Sequence, residues 1–152
     1  MRTDPWFSRV GAPLDAAERG AIAAYLAALG LPATTPVRIA ASWAEAAALC
    51  SRDADEWWRT ETAERERLAR SVALRDETIV AQSAMAMAAA RAECEDIATA
   101  YAASGAATFA VHEARLARAA GASENHPFLR KLALYEAGRW PLGVYGGEFA
   151  LF

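Results

Sequence analysis

Apolar residues recur at helical spacing through the middle of the chain. Placed at about 100° per residue, Trp57, Leu68, Val72, Ile79, Ala86, Ala90, Cys94, Ile97 and Tyr101 fall within one sector about 100° wide. The stretch that carries this stripe, Asp53 to Ala120, has no proline and a single glycine, Gly105. It predicts a long helical hairpin: a helix over 53–102, a turn over 102–107 around Ser104 and Gly105, and a returning helix over 107–120. On the returning helix Phe109, His112, Leu116 and Ala119 share a face, which sets His112 near Cys94 or Tyr101 if the turn is tight.

The polar positions divide this stretch. Glu56, Arg59, Glu64, Glu66, Arg67 and Arg70 form the outer face of its first part, with Glu66 to Arg70 and Glu64 to Arg67 at the spacings that pair on a helix. From Ala81 to Ala92, alanine and methionine occur nearly all round, so neighbours can approach closely on several sides. A helix of about 49 residues would run ~73 Å, beyond the diameter of a domain this size. It therefore bends or breaks near 75–78, or it pairs with a second subunit. The absence of glycine and proline at 75–78 favours a homodimer.

Shorter elements flank the hairpin. Trp6 and Phe7 belong to an irregular arm whose rings dock on the core. Pro13 opens a helix over 13–30 with Asp15 and Glu18 in its first turn, a face of Leu14, Ile22, Tyr25, Leu26 and Leu29, and a stop at Gly30 and Pro32. Val37 to Ala40 reads as a short extended piece, and Ser42 with Glu45 signals a capping box for a helix over 42–51. Pro127 starts a helix over 127–137 that ends at Gly138. In the tail, 142–152, two apolar runs separated by Gly146 and Gly147 predict a two-residue β-hairpin. The fold class is mostly α: one domain, a helical bundle built on a long helical hairpin, with a small C-terminal β-hairpin.

Composition narrows the function classes. Of 152 residues 55% are hydrophobic, yet alanine alone makes up about a quarter of the chain, so the figure reflects small side chains. The apolar run Ile79 to Ala92 is broken by Gln82, Ser83 and Arg91, short of the ~18 residues a membrane span needs. A net charge of −3 argues against a nucleic-acid surface. Two cysteines make no disulfide framework, and Met1 to Val10 has no secretory pattern; both point to a cytoplasmic protein with reduced thiols.

Candidate chemistry gathers at the inner end of the hairpin. An imidazole at His112, paired across the hairpin with Glu93 or Cys94 and with Tyr101 converging on it, could act as a general acid or base; the simpler reading is a core histidine. Glu61 and Arg65 interrupt the stripe and could form an ion pair at a cavity rim, or mark where the helix leaves the core. The carboxylates Glu61, Glu93, Asp96 and Glu113 with His112 do not make a metal site, because the chain has no Glu-x-x-His and position 116 rules out His-Glu-x-x-His. No cofactor motif is present, and Cys50, Cys94 and His126 read as structural. The tail concentrates Arg139, Trp140, Tyr145 and Phe149, residue types found at binding hot spots, which either add a strand to a partner's sheet or plug the end of the bundle. The expected function is an accessory or protein-interaction protein, such as a regulator, immunity protein or assembly factor. The alternative is a small bundle enzyme or ligand binder with a pocket around His112 and Glu93, near Arg139 or Trp140.

Overall fold

The structure, a computed structural model, describes residues 6–51, 55–72 and 79–152. Its elements run α1 (Ala16–Ala28), β1 (Val37–Ile39), α2 (Trp43–Cys50), α3 (Asp55–Ser71), α4 (Ile79–Glu93), α5 (Ile97–Ala119), α6 (Pro127–Glu136), β2 (Pro141–Tyr145) and β3 (Glu148–Leu151). The fold is mostly α with a small C-terminal β element.

Local chemistry explains most helix starts. Asp15, rather than Pro13, caps α1: its carboxylate accepts from the Glu18 amide at 2.8 Å, and Glu18 reaches back to the Asp15 amide at 2.9 Å, a complete capping box. Ser42 accepts from the Glu45 amide at 3.1 Å, but Glu45 returns to Ala41 and to Arg38 instead of Ser42, so only half of that box closes. Pro127 is the first residue of α6, where a missing N–H costs nothing.

The long hairpin differs from its sequence reading. Among the described residues the helical path from 55 to 119 is three helices, and the turn between α4 and α5 lies at 94–96 rather than 102–107. Asp96 causes this: its carboxylate accepts from the Thr99 amide at 2.8 Å and from the Thr99 hydroxyl at 2.6 Å, so it caps a new helix. Gly105 then sits inside α5, where an added Cβ would meet nothing within 4 Å. Because α5 restarts at Asp96, the stripe loses its phase. Leu68, Ala86, Ala90 and Cys94 are buried, whereas Ile97 and Tyr101 point outward. The break expected at 75–78 lies outside the described residues, as does the side chain of Trp57.

The tail makes the predicted hairpin. Gly146 and Gly147 both have positive φ, 59° and 81°, as a tight two-residue turn between twisted strands requires. β1 joins it: the order is β1-β3-β2, with β1 parallel to β3 (Val37 opposite Phe149) and β2 antiparallel (Val144 opposite Phe149). β3 is therefore central and buried on both faces. Phe149 and Leu151 pack with Ile22, Tyr25, Leu26 and Leu134, while Ala150 belongs to the larger cluster of α2, α5 and α6. Phe7, Trp43, Trp140 and Phe152 meet edge-on, except for the tilted Trp43–Trp140 pair, with ring centroids 5.1 to 6.3 Å apart, and tie the N-terminal arm and α2 to the tail.

Candidate functional site

Two features of the bundle carry polar chemistry. The first is an ion network between α3, α5 and α6. Glu61 and Arg65 lie one turn apart on α3. Lys131 of α6 donates to Glu61 at 2.6 Å and to Glu113 of α5 at 2.8 Å, and Arg65 donates to the other Glu113 oxygen at 2.7 Å. Glu113 has no solvent exposure, and Ala110 and Ala117, one turn away on either side of it, are also fully buried. Two cations thus balance two carboxylates in the interior.

The balance is uneven within the group. Burial pushes the Glu61 carboxyl up, and the neighbouring Glu113 carboxylate adds to this, against the pull of Lys131 and Arg65. Burial also opposes the Lys131 charge, yet Lys131 feels two carboxylates at once, so its pKa ends above the usual lysine range. Glu61 by contrast has a single hydrogen-bonded cation, Lys131, beside its like-charged neighbour. The phenols of Tyr25 and Tyr135 are pushed well up, first by burial and then by Glu61, and stay protonated.

The second feature is a cleft of about 320 Å³ between α4 and α5, lined by Ile79, Ser83, Gly105, Thr108, Phe109 and His112. Among the described residues no carboxylate lines it. The Thr108 hydroxyl donates to the Ser104 carbonyl at 2.8 Å, and the Arg65 guanidinium lies 5.0 Å over the Phe109 ring, which joins the cleft to the ion network.

The expected meeting of His112 with Glu93 and Tyr101 is not observed. With the turn at 94–96, Tyr101 lies on the same helix as His112, eleven residues or ~16 Å away along the axis, and Glu93 ends α4 beyond it. Both Glu93 and Tyr101 are exposed. Arg139 and Trp140 lie away from this cleft as well. Arg139 has no solvent exposure and grips Glu18 with both arms, Nε to Oε1 and Nη2 to Oε2 at 2.9 Å each, while donating to the Ala12 and Pro13 carbonyls at 2.7 and 3.0 Å. Trp140 and Phe149 are buried; Tyr145 is half-buried and donates to the Leu142 carbonyl at 2.7 Å. With β1 on one side and β2 on the other, β3 has no edge open to a partner strand. Glu61 and Arg65 do form ion pairs, though with Lys131 and Glu113 rather than each other.

Sequence reasoning missed Lys131, Glu18 and the partnership of Glu64 with His126. Lys131 carried a signal, because it sits between Phe128 and Leu132 on the apolar face of α6. His126 caps α6: its Nδ1 accepts from the Phe128 amide at 3.2 Å, which leaves Nε2 to donate to Glu64 at 2.8 Å. Among the described residues no group of three or more His, Cys, Asp and Glu is placed to hold a metal ion. Burial pushes the Cys50 thiol up to about 11, away from the thiolate form.

Two carboxylates give the fold an acid limit. The Arg139 hydrogen bond, helped by Arg9 and the Asp15 amide, lowers Glu18 from 4.5 to about 2; Arg67 and then His126 lower Glu64 from 4.5 to about 2. A depressed acid stabilises the fold fully above its unfolded pKa and loses that contribution as pH falls through the folded value. Stability to urea should therefore fall between about pH 4.5 and 2, and Glu18→Gln should make that fall shallower. Parallel profiles for the variant and the wild type would remove Glu18 from the explanation.

No family model matches the chain, and neither the curated proteins nor the solved structures contain a significant match to it.

Proposed function

We propose that the protein is an accessory protein that works by helix-face contact, with the α4–α5 hairpin as its working surface and a second copy of the chain as its first partner. The observation that carries this reading is the outer face of α4. The helix has no charged residue from Ile79 to Ala90, although among the described residues its substantial packing partner is α5 alone. A surface helix of a monomer ordinarily turns a charged face to water. Here Val80 is 76% exposed and Met85 47%, with Ala81, Ala84 and Ala88 exposed beside them.

The neighbouring helix extends the surface. Of the six large hydrophobic residues exposed among those described, all but Val37 lie on this hairpin: Val80, Met85, Ile97, Tyr101 and Phe109. Tyr, Phe and Met are favoured at the centre of protein interfaces, and alanine lets a second helix approach to ~8 Å. The tail is the weaker candidate, since its rings lie in the core. The free thiols of Cys50 and Cys94 are in keeping with the cytoplasm, and among the described residues no helix is long and apolar enough to cross a membrane.

A ligand-binding reading has one observation behind it: His112, Ser83 and Thr108 place an imidazole and two hydroxyls in a cleft beside the Phe109 ring. Without Glu93 or Tyr101 it resembles a binding cleft more than an acid–base site.

The dimer is tested by Ala84→Glu with Ala88→Glu, which sets four carboxylates across a paired α4. The expected outcome in light scattering is the monomer mass of 16.2 kDa with unchanged helical circular dichroism. A wild-type dimer whose mass survives both changes would move the interface elsewhere.

A further inference from the structure

We infer that the stretch 60–72, the described side chains of α3 with Val72 just beyond it, is an ionic strap: it lifts off α5 and α6 as a unit, ahead of the rest of the fold, and uncovers Glu113, Lys131 and the side of the Phe109 ring that Arg65 covers. Nine of the 17 residues of α3 are Asp, Glu or Arg. Among its described side chains Leu68 is the buried apolar one, at 2% exposure, with Val72 packed part-buried just beyond the helix. What holds the stretch down is polar contact from three of its side chains: Glu61 pairs with Lys131 at 2.6 Å, Arg65 pairs with Glu113 at 2.7 Å, and the Glu64 carboxylate accepts from the His126 ring at 2.8 Å.

Such contacts hold position well and contribute little net stability. Buried pairs give up hydration to form, and exposed pairs contribute little once screened by water. Lifting α3 returns water to Glu61, Glu113 and Lys131, which offsets much of the attraction lost. Lifting α5 would instead expose Ala103, Ala107, Ala110, Ala114 and Leu116, all at 2% exposure or less, with nothing regained. Local opening proceeds where few apolar contacts resist it, so the stretch 60–72 opens below the free energy of global unfolding.

The consequence for contact rests on the helix-face function proposed above. Arg65 covers one side of Phe109, whose ring already borders the exposed face of α5. With α3 lifted, that face gains the rest of the ring and a charged margin of Glu113 and Lys131, so the strap regulates what the surface accepts.

Native-state hydrogen exchange tests the strap without reference to any partner, and a failure of dimerisation would not affect its result. The amides of 60–72 should exchange at least tenfold faster than the slowest amides of α5 and α6, with a weaker dependence on urea. Glu61→Gln, which keeps shape and leaves Lys131 paired with Glu113, should speed 60–72 by about tenfold more and leave α5 and α6 unchanged. Exchange of all three helices at one rate with one urea slope, or an equal acceleration of all three by Glu61→Gln, would overturn the inference.

Discussion

Trp140→Ala destabilises the fold by about 3–5 kcal/mol, the range for deleting a large buried ring. Trp140 is 1% exposed, with ring centroids 5.7 Å from Trp43 and 6.3 Å from Phe7. Its backbone exchanges hydrogen bonds with Phe152 at 2.8 and 2.9 Å, so the cavity would open where the arm, α2 and the tail meet. The backbone is held from both sides there and the site cannot collapse to fill the space. Urea unfolding checks the size of the effect. A binding hot spot would behave in the opposite way, with stability unchanged and association lost, and that result would return the tail to the surface.

Arg139→Met carries the second large effect, about 3 kcal/mol, at the low end for breaking a buried ion pair. The guanidinium satisfies both Glu18 oxygens and two backbone carbonyls, and nothing else described reaches the carbonyl of Ala12. Arg9 moderates the loss, since it also bonds Glu18 at 3.0 and 3.2 Å from a half-exposed position. Arg139→Lys keeps the charge but cannot match the two-armed grip, and should recover less than half of the loss. Stabilities of Arg139→Met, Glu18→Gln and the double variant should show coupling above 1 kcal/mol. Additive losses would mean that the two residues act separately.

Both residues stood out in the sequence for their type, and type alone misplaced them. Arg and Trp near a chain's end fit a binding surface as well as a plug, because the difference lies in partners over 100 positions away, such as Glu18 for Arg139. The β-hairpin was legible because Gly146 and Gly147 act locally, whereas the pairing of β1 with β3 depends on residues at opposite ends of the fold. The hairpin turn was missed for another reason. Alanine continues a helical pattern on both sides of Glu95 with no glycine or proline between, and Gly105 supplied a false stop. The Asp96 and Thr99 cap was present in the sequence but outweighed by the stripe running through it.

The ion network was half legible. Glu61 and Arg65 were visible as charges on an apolar stripe, and Glu113 and Lys131 occupy apolar faces in the same way on α5 and α6. Pairing them needs the bundle's geometry, because α3, α5 and α6 meet only once folded. The lack of charge from Ile79 to Ala90 was legible in the sequence, while which side of α4 stays exposed was not, and that face carries the proposed function.

Light-scattering mass on the purified wild-type chain tests that proposal. Pairing through α4 predicts twice the chain mass of 16.2 kDa. A single species at 16.2 kDa at high concentration would contradict it and leave the apolar face of α4 without the partner assigned to it.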